Sequence, residues 1–135
     1  MGYCMSYQQG NARFKIEVKD KILQAIKNLR GKESVQDSSG RHFRWVNNDF
    51  YKIDNIEKMF REWGWHLKED KEDGYFIITE FLGEKLGDDD ILLNCIAPYM
   101  EDSYIEMYGE DAAIWRWVFQ DGTFKETMAE ISWRY

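Results

Sequence analysis

The sequence predicts an α+β fold: one domain over residues 1–135, with a mostly antiparallel sheet and about three helices packed on one face. Three observations carry that expectation. The C-terminal third alternates in strand fashion, three upstream segments repeat their apolar residues at helical spacing, and no linker, repeat or low-complexity tract separates them.

The strand signal is strongest from Tyr104 to Arg134. In Ile114-Trp115-Arg116-Trp117-Val118-Phe119, residues Trp115, Trp117 and Phe119 share one face, and Ile114, Arg116 and Val118 the other. These residues are mostly β-branched or aromatic, the types that suit a pleated, half-buried surface. Gln120-Asp121-Gly122-Thr123 supplies a turn, because Asp-Gly adopts the positive φ angles of a tight hairpin, and Phe124–Trp133 reads as the returning strand. Tyr104–Tyr108 enters through Gly109-Glu110-Asp111, which completes a three-strand meander. Ile105, Met107, Trp115, Trp117 and Phe119 are expected to face the helices. The opposite assignment, with Ile114 and Val118 inside, is the alternative that a one-residue slip would produce.

Upstream, Tyr3–Gln8 alternates, Gln9-Gly10-Asn11 turns, and Phe14, Ile16 and Val18 alternate again, as in a hairpin or a strand broken by a bulge. Ile22, Leu23, Ile26 and Leu29 then recur at helical spacing before Gly31, a C-terminal cap. Lys32–Arg41 is loop-like, and His42–Val46 reads as a short strand. A second helix is expected to start with Asp54 as N-cap and Glu57 closing a capping box, burying Ile56, Met59, Phe60 and Trp63 and ending at Gly64. Trp65–Glu69 and Tyr75–Leu82 form a hairpin around Asp70–Gly74. A third helix opens at Asp88-Asp89-Asp90, buries Leu92, Cys95 and Ile96, and ends near Pro98.

Composition narrows the functional classes. At 44% hydrophobic and 16% aromatic, the chain is globular, and a chain of this length buries roughly 70% of its unfolded surface. No apolar run reaches the ~18 residues of a membrane span. The first residues lack a basic stretch followed by an apolar core, so no secretory leader is expected. Cys4 and Cys95 show no metal-ligand spacing and are expected as thiols in a reducing cytoplasm rather than as a disulfide. Met1-Gly2-Tyr3-Cys4-Met5-Ser6 matches the loose N-myristoylation pattern, but Tyr3, Met5 and Tyr7 read more simply as one face of an opening strand.

Charge is unevenly distributed. Residues 1–52 hold ten Lys/Arg against five Asp/Glu, a net of +5; residues 53–135 hold eight against twenty, a net of −12. Leu86 to Trp115 contains no Lys or Arg and carries Asp88, Asp89, Asp90, Glu101, Asp102, Glu106, Glu110 and Asp111. Such a cluster repels itself, which suggests a role beyond stability, and a basic protein surface is the partner it suits. Tyr104 and Tyr108 beside it are the aromatic anchors expected of such a contact. The same acids also suit a solvated face of caps and turns. A divalent-cation site is poorly supported, because Asp88–Asp90 lacks the spaced oxygens and glycine of an EF-hand loop.

Catalytic constellations are thin. His42 and His66 form no HExxH, and there is no nucleophile elbow, phosphate-binding loop or dinucleotide fingerprint, so a non-catalytic protein without cofactor or metal is expected. Lys19, Lys21, Lys27, Arg30, Lys32, Arg41 and Arg44, with Tyr7 or Trp45 for stacking, would be the residues of a nucleic-acid contact, and overall acidity argues against one. Two further readings stand behind the interaction protein. One is a structural module with no ligand; the other is a small-ligand protein that binds or sequesters a nucleotide through Arg44 or Arg116 and a stacking aromatic.

Asp102-Ser103-Tyr104-Ile105-Glu106-Met107-Tyr108-Gly109-Glu110-Asp111 with Ile114–Phe119, together with Gly83-Glu84-Lys85-Leu86-Gly87-Asp88-Asp89 and Met1-Gly2-Tyr3, resembles small uncharacterised proteins of bacterial phages and mobile elements. The resemblance implies context rather than activity. Small acidic proteins of that kind, anti-CRISPR proteins included, bind and block host machinery, so an inhibitor of a nucleic-acid-handling or defence complex is the expectation it adds.

Overall fold

The computed structural model describes residues 2–31 and 43–129. In chain order these form β1 (Met5–Gly10), β2 (Arg13–Lys15), α1 (Lys19–Lys27), α2 (Ile56–Glu62), β3 (Trp65–Asp70), β4 (Tyr75–Phe81), α3 (Asp89–Ile96), β5 (Ser103–Gly109), β6 (Ile114–Gln120) and β7 (Thr123–Met128). The fold is α+β, and β5-β6-β7 is the meander. The expected loop at 32–41, His42, and the end of the last strand beyond 129 lie outside the described residues.

The strands make two antiparallel sheets rather than one, in the orders β1-β5-β6-β7 and β2-β4-β3. The chain passes between them at Asn11–Ala12. There the Asn11 amide donates to the Tyr104 carbonyl at 3.0 Å, and the Ile78 amide donates to the Ala12 carbonyl at 2.8 Å. The Asn11 side chain also accepts the Tyr104 amide at 2.9 Å, so this short link is bonded to both sheets. β1 carries a bulge between Tyr7 and Gln9 and runs on through Gly10, and because β1 and β2 join different sheets, the expected hairpin or single bulged strand over this segment is not formed.

The inward face of the meander is the expected one: Ile105, Met107, Trp115, Trp117 and Phe119 are buried, while Ile114 points out. They join Phe14, Phe76 and Ile78 of the second sheet and Ile22, Ile26, Met59, Phe60, Leu92 and Leu93 of the helices in one core. α1 packs on both α2 and α3. The Trp65 and Trp117 rings, one from each sheet, meet edge to face with centroids 6.1 Å apart. The β6–β7 turn places Asp121 at φ 52 and Gly122 at φ 74, the two positive angles of a tight hairpin.

Three local expectations need correction. Asn55, not Asp54, caps α2: its side chain accepts the Lys58 amide at 2.9 Å, while Asp54 is drawn away into an ion pair with Lys27. Ile16–Val18 is a 3-10 turn instead of a strand, because β2 ends at Lys15 and the Ile16 amide turns to the Gly74 carbonyl at 3.0 Å. Phe43–Val46 is also a turn. Phe43 and Val46 are buried three residues apart, Phe43 against Phe50 and Trp63, which leaves Trp45 on the outside with φ 64.

Two stability predictions follow from this packing. Trp117→Ala, at a site 2% exposed, is expected to cost about 3–5 kcal/mol in urea unfolding, and a loss under ~1 kcal/mol would remove Trp117 from the core. Asn55→Ala is expected to cost about 1 kcal/mol and more than Asp54→Ala, since an exposed ion pair contributes ~0–1 kcal/mol. The reverse order would return the cap to Asp54.

Candidate functional site

The acidic residues singled out by sequence serve several different purposes. Asp89, only 4% exposed, accepts the Trp65 indole N–H and the Gly87 amide, each at 3.0 Å. It belongs to the interior and not to a contact surface. Asp88 accepts the Arg44 amide at 2.7 Å, and Asp90 beside it is exposed. Glu101 accepts the Tyr75 hydroxyl at 3.3 Å, and Asp102 accepts the Asp121 amide at 2.9 Å, which fixes the β6–β7 turn. Glu106 pairs with Arg116 at 3.0 Å and accepts from Gln9 at 3.1 Å.

Glu110 and Asp111 hold the amino-terminal segment. Glu110 accepts the Cys4 amide at 3.2 Å, and Asp111 accepts the Tyr3 hydroxyl and, at 3.2 Å, the Ala113 amide. The Tyr3 hydroxyl bond keeps the Asp111 carboxyl below its ordinary range, and the same bond pushes the Tyr3 phenol up to about 12. Asp111 is therefore an anion and Tyr3 a neutral donor across the physiological range.

On the other side of this segment the Met5 amide donates to the Glu84 carbonyl at 3.0 Å and the Leu86 amide to the Tyr3 carbonyl at 2.7 Å. Tyr3–Met5 thus lies between the approach to α3 and the Gly109–Asp111 turn. The structure gathers Glu84, Glu110 and Asp111 around that segment, while Glu101 and Asp102 sit at the opposite end of β5, ~20 Å away along the strand.

The two tyrosines expected as anchors both emerge on the outer face of the four-stranded sheet. Tyr104 carries the Arg116 guanidinium over its ring at 4.5 Å. Tyr108 is 40% exposed and pairs in register with Ile114, 38% exposed. Among the described residues no helix covers this face. Ile114 was absent from the contact residues suggested by sequence, although its alternation with Arg116 already placed it outward.

A second feature lies beside α3. A cavity of about 560 Å³ is walled by Trp45, Trp63 and Phe81, with Arg44, Arg61 and Lys85 around it. Its position joins segments some forty residues apart, and of its residues only Arg44 and Trp45 carried a ligand suggestion in the sequence. His66 Nδ1 lies 2.8 Å from the Thr79 hydroxyl, a bond between neighbouring strands. Cys4 and Cys95 form no disulfide. Among the described residues no three His, Cys, Asp or Glu side chains converge to hold a metal ion, and no helix is long and apolar enough to cross a membrane. No family model, curated protein or solved structure matches the chain.

Burial at Asp89 generates a pH dependence. Desolvation outweighs the two N–H donors and pushes its carboxyl from 3.8 up to about 6. The folded state therefore binds this proton more tightly than the unfolded chain does. The contribution of Asp89 is most favourable below 3.8, declines as the pH rises to about 6, and is constant above that. Measured against Asp89→Asn, wild-type stability is expected to fall by about 3 kcal/mol over that window, at ~1.4 kcal/mol for each decade in proton binding. Denaturant unfolding at a series of pH values reads this directly, and a flat difference would refute it.

Proposed function

We propose that this chain is a non-catalytic interaction protein that docks on a basic surface of another protein through the Tyr108 end of its open sheet face. The observation that carries the reading is the Tyr108–Ile114 cross-strand pair, exposed on an uncovered face and bordered by the exposed carboxylates of Glu110 and Asp111. An aromatic and an aliphatic side chain supply area to bury, and the carboxylates select a cationic partner and speed its approach. Tyr104 and the Glu106–Arg116 pair extend the face toward Asp102.

This reading narrows the acidic surface. Glu84, Glu110 and Asp111 form the near group; Glu101 and Asp102 are remote from it, and the buried Asp89 takes no part. The resemblance to small phage and mobile-element proteins supplies the kind of partner: a basic protein of a host nucleic-acid-handling or defence complex, which the docked chain would inhibit.

The test isolates a partner and then measures it. Tagged protein is used to recover partners from the cells that carry it, and the purified partner's affinity is compared for wild type, Tyr108→Ala and Glu110→Lys, each first shown to unfold as wild type does. A loss of about tenfold or more for each variant, with affinity that falls as salt rises, is expected. A partner that binds all three equally, or one that is acidic, defeats the proposal.

A further inference from the structure

The cavity beside α3 has features that the protein-contact surface does not use. Trp45 is 52% exposed and sits at φ 64, a left-handed backbone angle that strains a tryptophan. The ring is nonetheless held in place. Its N–H donates to the Leu86 carbonyl at 3.3 Å, and its edge lies so close to the backbone that a Cβ at Gly87 would come within 2.8 Å of the ring. A strained, anchored aromatic with an exposed surface is a ready-made stacking platform.

The charges around it are asymmetric in their commitments. Of the cavity's carboxylates, Glu62 accepts the Asn47 amide at 3.2 Å, Asp88 the Arg44 amide, and Asp89 the Trp65 indole and Gly87 amide. Glu84 is exposed at the rim. By contrast, among the described residues no ion pair engages Arg44, Arg61 or Lys85, and the Lys85 ammonium stands 5.8 Å from the Trp45 ring centre. The cations are thus available to a ligand, and most of the acids are already hydrogen-bonded within the fold.

We infer that this cavity binds a nucleoside monophosphate, its base stacked on Trp45 and its phosphate held by Arg61, Arg44 and Lys85. The volume of about 560 Å³ falls in the range of small-molecule sites. Stacking on tryptophan accepts any base, and guanidinium groups match phosphate oxygens. The acids in the same cavity, and a chain net charge of −7, set the size of the ligand: a single phosphate is tolerated, and a polyanion is repelled.

The protein is titrated with nucleoside monophosphates, with the matching nucleosides and with a short single-stranded oligonucleotide, using tryptophan fluorescence and thermal shift. Saturable monophosphate binding is expected, about tenfold tighter than the nucleoside. Trp45→Gly removes the platform while suiting the left-handed backbone, and is expected to weaken binding by about tenfold or more; Trp45→Phe keeps a ring and is expected to retain most of the affinity. Arg61→Gln combined with Lys85→Gln is expected to reduce monophosphate affinity to that of the nucleoside, with both variants folded by circular dichroism. The inference is overturned by no saturable binding at ~10 mM, by Trp45→Gly binding as wild type does, or by a nucleoside that binds as tightly as its monophosphate. An oligonucleotide that binds more tightly than every monophosphate, with steep salt dependence, replaces it with single-strand binding.

Discussion

Much of this fold depends on one hydrogen bond in the interior, from the Trp65 indole to the Asp89 carboxylate at 3.0 Å. Trp65 has no exposed surface and touches Phe81 in its own sheet and Trp117 in the other. Asp89 opens α3, so the same indole ties both sheets to a helix. A buried indole N–H without an acceptor and a buried carboxylate without donors are each costly, and here each relieves the other. The Trp117 indole likewise donates to a carboxylate, the exposed Glu126, at 2.8 Å, whereas the buried indoles of Trp63 and Trp115 meet no acceptor among the described residues. A core rich in tryptophan needs acceptors, and part of the acidity of the chain supplies them.

That arrangement changes how the negative charge is understood. Read along the sequence, the base-free stretch from Leu86 to Trp115 looks like a single feature. In space its members buttress a turn, begin a helix, secure the first strand and pair with Arg116. Stability and recognition are therefore not alternatives for these residues. Glu110 and Asp111 hold Cys4 and Tyr3 in place and still lie exposed beside Tyr108 and Ile114.

The parts legible in the sequence are those set by local period and turn chemistry. Trp115, Trp117 and Phe119 face inward because alternation allows only two faces, and the Asp121-Gly122 turn follows from its backbone preferences. What stayed hidden depends on distant residues. Three consecutive aspartates look alike, and only Trp65, twenty-four positions earlier, distinguishes Asp89. Asp54 and Asn55 are both capable caps, and Lys27 on another helix decides between them. The division into two sheets has no periodic signature, since pairing partners are chosen by the link at Asn11–Ala12. Trp45 looked like a strand residue because its neighbours alternate; packing of Phe43 against Phe50 and Trp63 turned it out to face a cavity assembled from remote segments.

The placement of β1 has a consequence for how the chain is made. Its sheet partner is β5, with Met5 opposite Gly109 and Gly10 opposite Ile105, whereas β2, β3 and β4 pair among themselves within Arg13–Phe81. During synthesis the smaller sheet has all its strands long before the larger one can begin to close. β1 must wait for β5, its edge unpaired until the meander arrives. The larger sheet is therefore completed after the smaller one, joining strands about a hundred residues apart, and the exposed Tyr108 face comes into being only with that closure.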